Sequence, residues 1–197
     1  MPPGSLPLSP RDALLRRVGR NVVNFQYLET SLRRVIPTLR SEGSLTEVRS
    51  RLDATVRKHK RSSLGNLADA FLDTVLPKAQ PGDLSAGTEP VEITLRISTQ
   101  IETTADEAAQ HRRDLLKLVT ERNRLVHRDF LSVDLDSPEQ CEQLSARLDE
   151  QNDRIREHLA FLNSVREMQR DAFAEFAAYV QSDEFMSVLA GQQNDAP

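Results

Sequence analysis

Arg122, Asn123 and His127 are the residues whose types and spacing best suit chemistry, and they fall in the stretch 115–130, LLKLVTERNRLVHRDF. A guanidinium can hold two oxygens of a phosphate at once. An imidazole, with an ordinary pKa of about 6.5, takes or gives a proton near neutrality. An amide next to them can orient the ring or hydrogen-bond the phosphate. The three together suit acid–base work on a bound phosphate ester.

The element that must position them is a helix, predicted from about Thr99 to near Phe130. Leu115, Leu118, Val119, Leu125 and Val126 recur at helical spacing and define a face turned to a core. Arg122 falls on that same stripe, where a guanidinium is costly unless paired. Asn123 and His127, four residues apart, share the neighbouring strip with Leu116 and Thr120. A paired cation on the buried stripe, with an amide and an imidazole beside it, describes a polar site.

Arg122-Asn123-Arg124-Leu125-Val126-His127 resembles the R-N-x-x-x-H form of the HEPN motif, an Arg followed after four to six residues by His. The resemblance spans about Arg11 to Val180, and the motif is its specific part. It implies a small all-helical HEPN-like domain acting as a metal-independent endoribonuclease. Two motifs would meet across a homodimer interface, with Arg122 and His127 as catalytic pair and Asn123 in support. RNA brings its own nucleophile, the ribose 2′-hydroxyl, so the products implied are a 2′,3′-cyclic phosphate and a 5′-hydroxyl. The setting implied is a toxin–antitoxin or phage-defence system, with a cognate antitoxin protein as a further partner. A non-catalytic module of the same family, binding RNA, nucleotide or a partner protein through the same cleft, is the alternative. In family toxins neutralised by a minimal nucleotidyltransferase antitoxin, a Tyr follows the His by two positions and is adenylylated. Asp129 stands there instead, so that mode of neutralisation is not expected. Asp129 would also repel phosphate unless it pairs with Arg128.

Glu29 is the carboxylate on an apolar line Leu15, Val22, Glu29, Ile36 of the first helix, and a buried carboxylate needs a partner. Arg122 would serve as that partner and make Glu29 a supporting residue of the site. A marginal Glu29 paired with Arg33 is the other reading. Arg112, Arg113, Lys117, Arg124 and Arg128 surround the motif, opposed by Asp114, Glu121 and Asp129. They form either an electrostatic track for RNA backbone or a solvated helix face. The run Arg57-Lys58-His59-Lys60-Arg61 is a second basic patch, whose plainer role is to complement a helix dipole. His59, His111, His127 and His158 lack paired ligand spacing such as H-x-x-x-H, so no metal or cofactor is expected. No Ser/His/Asp signature is present. Cys141, near a helix start, reads as a small packing residue.

The 197 residues suit one domain with a real core, expected over 9–190, with disordered tails at 1–8 and 191–197. No Trp, seven Gly and 38% hydrophobic content favour helices over a sandwich or barrel. A net charge of −4 requires any RNA contact to come from a local basic patch. The single cysteine rules out an internal disulfide and fits a reducing cytoplasm. Neither a signal peptide nor a membrane-spanning stretch is read, so a cytoplasmic protein is expected.

The fold class expected is all-α, an antiparallel bundle of about five helices. Ser9-Pro10 opens the first, ending near Val35 because Pro37 follows. Its seam is Leu14, Val18, Phe25, Leu28, Leu32 and Val35. The capping box Ser44-x-x-Glu47 opens a second, and a third runs from about Ser63 to Pro77. Residues 78–90 read as a loop. The stretch 91–97, VEITLRI, alternates as a strand does and must pair with another chain, lie over the helices or yield to helix. Ser137-Pro138 starts a long helix to about Gln181, with Leu144, Leu148, Ile155, Leu159, Leu162, Ala172 and Phe176 inward. Its polar positions between Leu148 and Ile155 predict a kink or local exposure. Ser182 caps a short last helix.

Overall fold

The computed structural model describes residues 8–76, 95–101 and 103–189. The expected loop at 78–90, the start of the alternating segment and the tails at 1–7 and 190–197 lie outside them. Six α-helices, one π-helical turn and a two-stranded ribbon make up the described chain, which is an all-α bundle with a minor β element.

Helix α1 (Pro10–Leu39) starts on the Ser9 hydroxyl, which accepts from the Asp12 N–H. It does not stop before Pro37 but carries that residue inside its last turn. A proline there removes only one helical bond, the one to the Arg33 carbonyl, and the helix runs just two residues beyond it. Thr38 meanwhile donates its hydroxyl to the Val35 carbonyl at 2.8 Å. Strand β1 (Arg40–Gly43) follows directly and pairs antiparallel with β2 (Leu95–Ser98), with Ser41 opposite Ile97. The described end of the alternating segment therefore finds its partner within the chain, in four residues whose own sequence, RSEG, carries no strand pattern. Gly43 closes β1 at φ 138°, and a Cβ there would meet the Glu47 carboxylate at 2.7 Å.

That carboxylate completes the capping box that opens α2 (Leu45–His59): Glu47 accepts from the Ser44 N–H at 2.9 Å. Helix α3 (Leu64–Val75) begins on Ser63 and buries Leu64, Leu67, Ala68, Phe71, Leu72 and Val75. The motif helix, α4 (Ala105–Arg124), starts six residues later than the apolar spacing predicts. Thr104 and Glu107 form a second capping box there, and these local bonds end the chain's extended run at that point. From Leu125 to Asp129 the helix widens into a π turn. Ser137 caps α5 (Pro138–Val180), and Ser182 caps α6 (Asp183–Leu189) through the Phe185 N–H.

Side-chain contacts fix the helix directions. Arg17 meets Asp149, Asn21 meets Gln151 and Thr38 meets Gln169, so α1 and α5 run parallel. Helix α4 runs antiparallel to α5, with Glu121 on Arg154 and His111 stacked on Phe161. The core between them is Leu14, Leu28, Leu32, Leu72, Leu118, Leu148, Ile155 and Leu162 with their neighbours.

The polar positions between Leu148 and Ile155 neither break α5 nor leave it exposed. Buried Gln151 and Asn152 face buried Asn21 and half-buried Asn24 across α1. Asn21 also donates to the Leu148 carbonyl at 2.7 Å, and Arg17 and Arg20 clasp Asp149. Burial works against ionisation of Asp149, but its hydrogen bonds to the two arginines prevail and hold it below the ordinary carboxylate range. Farther on, Ala172 and Phe176 are exposed where an inner face is predicted. At 1.5 Å per residue α5 is about 65 Å long and α1 about 45 Å, so its C-terminal turns run past their neighbour.

Candidate functional site

Three helices converge on the motif. Arg122 stands at the end of α4 and Glu29 in the middle of α1, and the α2–α3 turn reaches them through Arg33, which meets both Ser62 and Glu29. The Arg122 guanidinium reaches the Glu29 carboxylate at 3.8 Å and donates to the Asn123 side-chain oxygen at 3.2 Å. Arg33 approaches the same carboxylate at 3.2 Å and donates to the Ser62 carbonyl at 2.9 Å. Both candidate partners of Glu29 are therefore present together. Glu29 is 17% exposed and Arg122 36%, so the acid is the inner member and one side of Arg122 stays open to solvent. A carboxylate between two guanidiniums leaves a net positive charge at the rim.

His127 is exposed and, among the described residues, has no hydrogen-bond partner. It lies in the π turn, five residues beyond Arg122. In α-helical geometry five residues place two side chains about 140° apart around the axis. A turn closed from i to i+5 reduces that offset, and such turns concentrate at functional sites. It also shifts the register of the apolar stripe. Leu125 stays buried, whereas Val126, expected on the core face, is 42% exposed. Asn123 points its oxygen at Arg122, so it positions the guanidinium rather than the ring.

Asp129, expected to repel phosphate unless Arg128 neutralised it, pairs with Arg124 at 3.5 Å across the π turn. The surrounding cations do not form one track. Arg112 is held by Asp73 of α3 at 2.6 Å, and Arg124 lines a cleft of about 160 Å³ against α5 with Glu121, Asp129, Arg147 and Arg154. Arg113 donates to Gln110. Lys117 and Arg128 are exposed and make no ion pair among the described residues.

Arg33 and the Ser62 carbonyl are site members that the motif did not predict. The spacing of Glu29 and Arg33 carried a signal for the first. Nothing in the sequence signalled that the α2–α3 turn would dock here. Cys141 is buried in the core, consistent with a packing residue. Among the described residues no helix is long and apolar enough to cross a membrane. Comparison with family models, curated proteins and solved structures finds no match to this chain.

Proposed function

We propose that the protein is a metal-independent endoribonuclease of HEPN type that cleaves at a site built around Arg122 and His127. The observations that carry this reading are a half-open guanidinium braced from behind by Glu29 and, five residues on within a π turn, an exposed imidazole with no hydrogen-bond partner among the described residues. A guanidinium fixed by a carboxylate and an amide is preorganised for phosphate and needs little reordering when charge develops. In the reaction, the 2′-oxygen attacks the adjacent phosphorus while a base takes its proton. The bond from phosphorus to the 5′-oxygen breaks, and that oxygen receives a proton from an acid. Arg122 holds the non-bridging oxygens, and His127 carries one of the two protons.

One imidazole cannot begin as base and acid in the same step, so the reading includes a homodimer in which two copies of His127 share a cleft. Exposed Val126 and Leu131 beside His127 supply apolar surface for a second copy. By resemblance alone, the setting is a toxin–antitoxin or defence system with a cognate antitoxin. The alternative, a non-catalytic binding module, draws on the engagement of Arg122 by Glu29 and Asn123.

The substrate tests the chemistry. Total RNA and a labelled oligonucleotide are incubated with the protein in excess chelator, and the product ends are identified. Cleavage leaving 2′,3′-cyclic phosphate ends, with full resistance of 2′-O-methyl RNA, is the expected result. Cleavage of 2′-O-methyl RNA or DNA, or cleavage only with added divalent metal, would sink the proposal.

A further inference from the structure

The turn between α2 and α3 is fixed by contacts that lead back to the candidate site. His59 is 7% exposed, its ring 3.4 Å from the Ser62 hydroxyl, and the Ser62 N–H donates to the His59 carbonyl at 3.2 Å. The Ser62 carbonyl takes the Arg33 guanidinium, which shares Glu29 with Arg122. On the other side, a Cβ added to Gly65 would lie 3.5 Å from Val119, so the first turn of α3 rests on α4 one turn before Arg122. Burying His59 at this corner turns its neighbours outward. Arg57, Lys58, Lys60 and Arg61 are all exposed, and none makes an ion pair among the described residues.

The helix dipole accounts for cations at the end of α2. It does not account for the turn that carries them docking beside a site that already has two guanidiniums on one carboxylate. Residues 57–61 hold four Lys or Arg side chains and no acid in a chain of net charge −4, which makes this corner a local basic patch of the kind RNA binding requires. Asp53 and Asp69 are the exposed carboxylates of the two flanking helices toward the turn.

We propose that Arg57, Lys58, Lys60 and Arg61 form an anchor for the phosphate backbone of single-stranded RNA, adjoining the Arg122–His127 site and leading the strand into it. This rests on the ribonuclease reading of that site. The chemistry recognised is a run of phosphates, without base readout, so affinity depends on salt and little on sequence.

The test uses the full chain carrying His127→Ala, so that RNA is bound but not consumed, and a fluorescein-labelled single-stranded RNA of about 15 nucleotides. Adding Lys58→Gln, Lys60→Gln and Arg61→Gln is expected to weaken binding at least tenfold near 0.1 M salt. Each cation removed from a phosphate of a single strand lowers the slope of log affinity against log salt by about 0.7, so the slope should drop by about 2. With His127 intact, the triple variant should cleave a dinucleotide, too short to reach the corner, within about twofold of the parent. The single change Lys60→Gln, lowering the slope by about 0.7, serves where the triple variant loses its thermal transition. Unchanged affinity and slope in an otherwise active protein overturn the anchor alone. Failure of the parent to bind or cut any RNA overturns the site reading and the anchor together. Binding to phosphatidylserine vesicles but not to RNA assigns the patch to a membrane surface and overturns the proposal.

Discussion

Glu29 and Arg122, one in the middle of α1 and the other at the end of α4, meet at 3.8 Å, and Arg33 shares the same carboxylate at 3.2 Å. This arrangement makes the acid a brace. Glu29→Gln leaves two half-buried guanidiniums facing each other, and is expected to destabilise the fold by about 1–2 kcal/mol. Calorimetry on the variant measures that loss. On RNA the change works in two directions. Under the proposed function, phosphate affinity is expected to rise because a negative charge is gone, and kcat is expected to fall because Asn123 alone then holds Arg122.

The polar seam between α1 and α5 is a second load on the fold. Asn21 is fully buried and its amide donates to the Leu148 carbonyl and the Gln151 side chain. Asn21→Ala leaves the Gln151 side-chain oxygen without its donor and removes one of the side-chain bonds to the Leu148 carbonyl, which Arg20 also reaches at 3.3 Å, and should cost about 1–3 kcal/mol. A urea denaturation curve with a lower midpoint and an unchanged slope is the expected result.

Gly19 lies in mid-helix with nothing within 4 Å of the position a Cβ would take. Gly19→Ala should therefore raise stability by about 0.5–1 kcal/mol through the unfolded chain's reduced freedom. A thermal transition that moves down instead would show that this face of α1 is covered in solution, and the oligomeric state of the variant would report by what.

Burial holds His59 below the ordinary histidine value, and the charge of Lys58 adds to the effect. The unfolded chain then takes up a proton before the folded protein does. This contribution is complete above pH about 7 and is lost as pH falls through about 6.5 toward the lower folded value. The urea midpoint should decline across that window, and His59→Gln should flatten the decline while leaving any fall below about pH 4 in place.

Local chemistry was legible where it acts alone. Ser9, Ser44, Ser63, Ser137 and Ser182 all cap helices as their positions suggest, because a hydroxyl bonding an N–H three residues on needs no distant partner. Tertiary pairings were not legible. Ser41 and Ile97 pair across 56 residues of sequence, and RSEG acquires strand geometry only from its partner. Gln151 and Asn152 interrupt the apolar face of α5 in sequence, and Asn21 and Asn24 of α1, distant in the chain, satisfy them. For the site, the motif came from its resemblance to a known family, and the Glu29 link came from periodicity. The π turn did not, since it is a property of hydrogen-bond closure that Leu125–Asp129 does not advertise in residue type.

The most direct measurement is the initial rate of RNA cleavage in excess chelator by the parent and by His127→Ala, each checked for an unchanged thermal transition. General acid–base catalysis is worth about 10²–10⁴-fold, so the variant is expected to lose at least a hundredfold in kcat with RNA affinity preserved. A His127→Ala protein that cuts RNA within a few fold of the parent, or a parent that cuts none while binding it, would contradict the account.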